Sequence, residues 1–232
     1  MAGSTTAESV VIPVTGGEIA ADLRLPDRRL GLVVFAHGSG SSRFSRRNRA
    51  VAEHLEHHGF GTLLLDLLTR DEEAIDVQTA EYRFDVDMLG RRVVLATDWL
   101  QDHREARALP LGYFGASTGA AAALIAAAAR PAIVQAVVSR GGRPDLTGPA
   151  LGDVQAPTLL IVGGHDEPVI EMNREAMRHM SGLVVLEVVP GATHLFEERG
   201  TLEQVMTLAT HWFGRYLGGA DMQNGIAPDE MD

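Results

Sequence analysis

Apolar positions fall in two kinds of stretch along this chain. Short solid runs alternate with longer segments in which apolar residues recur at helical spacing. The stretches Val10 to Val14 and Ile19 to Leu25 flank Gly16-Gly17, the pattern of two strands joined by a hairpin turn. Pro13 has no N–H to give a ladder, which points to an edge position for the first of them. Leu32 to Phe35, Thr62 to Leu65, Leu111 to Phe114, Ile133 to Val138, Thr158 to Val162 and Val184 to Val189 are continuous apolar runs of strand length, as expected for strands buried on both faces. Between and after them, Ser45 to His58, Phe84 to His103, Thr118 to Arg130, Val169 to Met180 and Leu202 to Leu217 read as helices. The alternation predicts an α/β fold with a mainly parallel sheet, helices on both faces and right-handed crossovers.

Only Ser139 to Pro157 separates two of the predicted strands, which leaves little room for a cap domain. No internal repeat is present. The pattern is that of one domain over residues 1–217. From Gly218 to Asp232 the chain mixes Gly, Pro, Asn and acidic residues without apolar periodicity, and this tail is expected to be disordered.

Composition narrows the function. With 45% hydrophobic residues in 232, the chain can bury one sizeable core. The 20 basic residues against 31 acidic ones, a formal charge of −11, argue against general nucleic-acid binding, which needs a basic surface. Zero cysteines exclude a disulfide framework, a thiolate zinc site and a cysteine nucleophile. The residues from Met1 to Thr6 lack the features of a signal peptide, and no apolar run reaches membrane-spanning length. The expectation is a cytoplasmic protein without membrane partners.

The chemistry centres on Gly115-Ala116-Ser117-Thr118-Gly119, which follows a predicted strand and opens a predicted helix. A serine on such a sharp strand-to-helix turn is held up at the strand's carboxyl end. Small neighbours let the turn strain and the helix pack closely. A serine hydroxyl needs a base and a group that orients the base. Asp166, in Gly163-Gly164-His165-Asp166-Glu167, and His194, in Pro190-Gly191-Ala192-Thr193-His194, each follow a predicted strand. The chain order Ser, Asp, His is that of the strand-turn-helix serine hydrolases. Glu167 is the alternative carboxylate.

His37-Gly38-Ser39-Gly40 follows another strand, and the backbone N–H of Ser39 is its candidate oxyanion donor, with the N–H of Thr118 as the second. His37 is expected to hold this loop by a hydrogen bond. The triplet His54, His57 and His58, beside Glu53 and Glu56, reads as a solvated helix face rather than a metal site. Asp66 reads as a loop-fixing acceptor, Asp98 as structural, and Glu197 and Glu198 as charges at the start of the last helix.

From about Val10 to Leu217 the chain resembles the α/β-hydrolase superfamily. Within it, His37 to Arg43, Asp66 to Thr69, Gly112 to Gly119 and Gly191 to Phe196 are similar to a bacterial branch of the dienelactone hydrolase family. Some members of that branch stand beside, or are fused to, phosphoribosyltransferase domains, for which the hydrolase pattern leaves no residues in this chain. Dienelactone hydrolase proper uses a cysteine, whereas this chain has Ser117. The resemblance therefore implies hydrolysis of a carboxylic ester or lactone by acyl transfer, without metal or cofactor. The same residues are compatible with thioester, amide or peptide cleavage, and with a noncatalytic binding protein that kept the scaffold.

A cluster of arginines, Arg43, Arg46, Arg47 and Arg49, sits around the start of a predicted helix, where the dipole disfavours cations. Arg49 is expected to pair with Glu53. Arg43, near the oxyanion loop, and Arg140, at the end of a strand, are candidates for contact with a small-molecule acyl substrate that carries an anionic group.

Overall fold

The computed structural model describes residues 5–218, arranged around one eight-stranded sheet. Strands β1 (Thr5–Val14) and β2 (Gly17–Pro26) form the expected hairpin. β1 is an edge strand, so Pro13 leaves no inner ladder short of a donor. The remaining strands are β3 (Gly31–Ala36), β4 (Phe60–Leu65), β5 (Leu111–Ala116), β6 (Val134–Arg140), β7 (Thr158–Gly163) and β8 (Val184–Val189). They alternate with helices α1 (Arg46–His57), α2 (Arg70–Thr79), α3 (Val86–Asp102), α4 (Thr118–Ala129), α5 (Glu167–Met177) and α6 (Thr201–Leu217). The spatial order is β1-β2-β4-β3-β5-β6-β7-β8. β2 runs antiparallel to both of its neighbours, and every pairing from β4 to β8 is parallel.

The solid apolar runs have a direct cause in the two faces of this sheet. Along β3, Leu32, Val34 and Ala36 join the core beneath α3 and α4, while Val33 and Phe35 join the core beneath α1 and α6. A strand covered on both sides has no solvated positions to make polar. Tyr113 is the polar exception in β5, and its buried hydroxyl lies 2.6 Å from Thr97 Oγ1 on α3. Burial pushes the Tyr113 hydroxyl well above its ordinary pKa.

Helix α2 was not expected from periodicity. Its one buried residue is Asp76, while Ile75 and Val77 face outward, so the usual apolar stripe is absent. A capping box between Thr69 and Glu72 starts it. The Asp76 carboxylate accepts from the backbone N–H groups of Tyr82 and Arg83 and from the Arg83 guanidinium, which fixes the chain leaving the helix.

Between β6 and β7 the chain forms a 3₁₀ segment, Pro144–Asp153, broken at Gly148 and packed on α4 and α5. It is no cap domain, in keeping with the short spacing. Asp98 makes two hydrogen bonds to Arg130 and so ties α3 to the end of α4. Apart from Gly218, the expected tail lies outside the described residues. Among the described residues, no helix is long and apolar enough to cross a membrane.

Candidate active site

Ser117 sits between β5 and α4 with φ of 52° and ψ of −124°, a conformation that non-glycine residues rarely adopt. Two glycines make the turn possible. A Cβ on Gly115 would come within 2.4 Å of the Ala120 Cα, and one on Gly119 within 2.3 Å of the His37 carbonyl oxygen. The turn is also anchored laterally to β6: the Ser117 N–H donates to the Arg140 carbonyl at 3.2 Å, and the Ser117 carbonyl accepts from the Arg143 N–H at 3.2 Å. Although Ser117 is the N-cap of α4, its hydroxyl makes no capping bond.

The same release of a cap occurs at Asp166. It occupies the N-cap of α5, where aspartate is among the best capping residues, yet its side chain does not cap the helix. The carboxylate turns instead to His194, with Oδ2 2.6 Å from Nδ1. A carboxylate oxygen accepts, so Nδ1–H is the donor of this bond and Nε2 is left for another partner. Glu167, the alternative carboxylate, is the first residue of α5 and makes no such contact.

Gly141 takes a φ of 52° beside the His194 loop, where a Cβ would stand 3.2 Å from the His194 carbonyl oxygen. The loop that carries His194 is closed by Glu198, whose carboxylate accepts from the Thr193 hydroxyl at 2.6 Å and from its N–H at 3.1 Å. Those bonds, the hydroxyl first, hold the Glu198 carboxyl below the usual carboxylate range. This loop-closing role was missed in the sequence, where Glu198 read as a helix-start charge. Glu197 instead meets Arg47 at 2.9 Å.

Ser117 and His194 line a common pocket of about 260 Å³ with Gly38, Ser39, Asn48 and Arg140. His37 fixes one wall. Its Nε2 accepts from the Leu67 N–H at 3.1 Å, and an N–H can only donate, so Nδ1 carries the proton and bonds the Gly38 carbonyl at 2.9 Å. Burial holds the His37 pKa below its ordinary value, consistent with a neutral ring that joins the loops after β3 and β4.

Ser39 also lines the pocket, but its N–H is not free. It donates to Thr118 Oγ1 at 2.9 Å. The Thr118 N–H opens α4 and has no partner within the helix.

The two arginine candidates part company. Arg140 reaches the pocket. Arg43 does not: its guanidinium is bound to Asp66, lies 3.7 Å from Asp22 and stacks over Phe44, beside a neighbouring groove. Arg49 also meets Asp22, at 3.3 Å, instead of the expected Glu53. These are corrections. β2 runs past the start of α1 and supplies Asp22, a partner that local spacing could not reveal. Asp66 is a loop-fixing acceptor as expected, taking the Arg43 N–H at 2.8 Å. His57 and His58 bond back to carbonyls of their own helix, and among the described residues no cluster of three metal-ligating side chains occurs.

Known proteins resemble this chain in sequence and in fold. A Mycobacterium tuberculosis protein named a putative phosphoribosyl transferase is 56% identical over 201 residues, which are 87% of this chain and 44% of that protein. The chain thus spans less than half the length of these relatives. The crystal structure of a dienelactone hydrolase from Anabaena variabilis, 53% identical, covers 92% of this chain and 99% of its own with a TM-score of 0.90. Est1E from Butyrivibrio proteoclasticus, at 17% identity and a TM-score of 0.74, covers 89% of this chain and 98% of its own and shares the fold. The sequence pattern of the dienelactone hydrolase family matches residues 19–216, nearly the whole sheet and all six helices. This chain, with its α/β-hydrolase fold, belongs to the dienelactone hydrolase family.

Proposed function

We propose that this protein is a serine hydrolase that cleaves a carboxylic ester or lactone by acyl transfer. The reading is carried by one arrangement: a strained serine shares a pocket with a histidine whose Nδ1 is held 2.6 Å from a carboxylate. His194 Nε2 takes the Ser117 proton as Oγ attacks the carbonyl carbon. Asp166 keeps the imidazole in the productive tautomer and stabilises the imidazolium. The N–H groups of Thr118 and Ser39 receive the developing oxyanion. Collapse of the tetrahedral adduct expels the alcohol, which takes the proton from His194. Water, deprotonated by the same nitrogen, then attacks the acyl-serine, and collapse of this second adduct releases the acid as His194 returns the proton to Ser117 Oγ.

The transferase name of the M. tuberculosis relatives attaches to proteins of which this chain matches 44%. The hydrolase family pattern covers residues 19–216 of this chain, which favours hydrolysis for this portion. The test is turnover of a para-nitrophenyl ester by wild type and by Ser117→Ala. Loss of about three or more orders of magnitude in kcat supports the reading. Retained turnover in the variant refutes it.

A further inference from the structure

The chain leaving β6 touches both Ser117 and the loop of His194. It brackets the serine: the Arg140 carbonyl accepts the Ser117 N–H, and the Arg143 N–H donates to the Ser117 carbonyl, each at 3.2 Å. Gly141 abuts the His194 carbonyl and donates its own N–H to the Ile161 carbonyl of β7 at 2.7 Å. Between the two brackets stand consecutive glycines, Gly141 and Gly142, the residue type whose backbone has most freedom to lose.

One side chain holds this glycine pair. Asn173, fully buried on α5, donates from Nδ2 to the Gly142 carbonyl at 3.0 Å and to the Val169 carbonyl of its own helix at 2.8 Å. Both amide protons are then used, while Oδ1 is buried with no partner among the described residues. The same helix has Asp166 at its N-cap, about two turns before Asn173, and the Asp166 carboxylate holds His194. A single residue thus joins the helix that orients the proposed base to the segment that brackets the proposed nucleophile.

Stability alone favours an apolar residue at this position. Asparagine is a weak helix former in a helix interior, and the other buried residues of α5 are Val169, Ile170 and Ala176. A buried acceptor left unsatisfied carries a desolvation penalty that an apolar side chain of like shape avoids.

We propose that Asn173 is a positioning residue of the Ser117 site: its bond to the Gly142 carbonyl fixes residues 140–143 and, through them, the placement of the Ser117 turn against the His194–Asp166 pair. What that placement does rests on the hydrolase reading. Asn173 lies outside the lining of the Ser117 pocket, so it acts on the reaction through this segment and not on the substrate. A nucleophile displaced by about 1 Å can lose about a hundredfold in rate, because attack needs the reacting atoms aligned.

Two variants test it. Asn173→Leu keeps the branching of the side chain and removes both donors. Asn173→Thr keeps a hydroxyl that can bond back to the Val169 carbonyl, as helical threonines do, but is one atom too short to hold Gly142. With a para-nitrophenyl ester, kcat per folded protein should fall by about tenfold or more in both, while KM stays within about twofold of wild type. Wild-type kcat in either folded variant, or a loss carried by KM, would overturn the proposal.

Amide hydrogen exchange reads the same tie without turnover. In both variants residues 141–146 should exchange about tenfold or more faster than in wild type, while the sheet centre at residues 32–36 keeps its protection. Unchanged exchange at 141–146 would overturn the proposal, and equal acceleration throughout the sheet would assign Asn173 to general stability and overturn it too. Faster exchange confined to 141–146, in a protein whose Ser117→Ala variant loses no turnover, would keep the tie to the turn and fail the hydrolase reading alone.

Discussion

The Ser39 N–H donates to the Thr118 hydroxyl across 2.9 Å, joining the loop after β3 to the first turn of α4. Each residue offers one proposed oxyanion donor, and the Ser39 donor is engaged by this hydroxyl. In the proposed mechanism the hydroxyl orients the Ser39 amide, and the developing oxyanion replaces it as acceptor of the same proton.

Thr118→Val keeps the shape of the side chain and removes the acceptor. We expect kcat to fall by about tenfold with KM little changed, less than the loss of a whole donor would cause. Thr118→Ser should restore it. A rise in kcat for Thr118→Val would mean that the hydroxyl competes with the oxyanion instead of preparing its site.

Backbone strain at Ser117 should be visible in stability. At φ of 52°, a residue with a Cβ is disfavoured and glycine is not. Ser117→Gly should therefore be more stable than Ser117→Ala by about 1 kcal/mol, although neither turns over ester. Denaturant unfolding of the two variants measures this, and a more stable alanine variant would remove strain from the account of the turn.

Asp76 gives a pH-dependent signature. Burial opposes its ionisation, but the N–H groups of Arg83 and Tyr82 and the Arg83 guanidinium outweigh it and leave the carboxyl below its ordinary pKa. A lowered carboxyl pKa stabilises the fold above the unfolded value, and that stability is lost as pH falls through the folded value. Asp76→Asn should lower the Tm at neutral pH, and the difference from wild type should shrink below the ordinary aspartate range. A difference that persists unchanged into acid would contradict the ionic role.

Much of this was legible in the chain because burial writes itself into sequence. Strands such as Leu32 to Phe35 are apolar throughout since both of their faces are covered. Ser117, Asp166 and His194 follow strands, and parallel strands deliver such residues to one sheet edge. Helix α2 was hidden because the residue it buries is an aspartate; its one usable sign was the Thr69 to Glu72 capping box. The environment of Arg43 could not be read, because Asp22 comes from the hairpin, far from it in sequence. Asp166 was already readable as the partner of His194 from its place after a strand; what geometry adds is that its carboxylate leaves the N-cap of α5 uncapped to reach that ring.

The hydrolase account stands most directly on covalent labelling of the folded protein by a fluorophosphonate, with the modified residue identified by peptide mass spectrometry. The account predicts one adduct, on Ser117, formed far more slowly in Asp166→Asn because the imidazole then loses its productive tautomer, a change worth about four orders of magnitude in related triads. No label on Ser117, or labelling that is indifferent to Asp166, would contradict it.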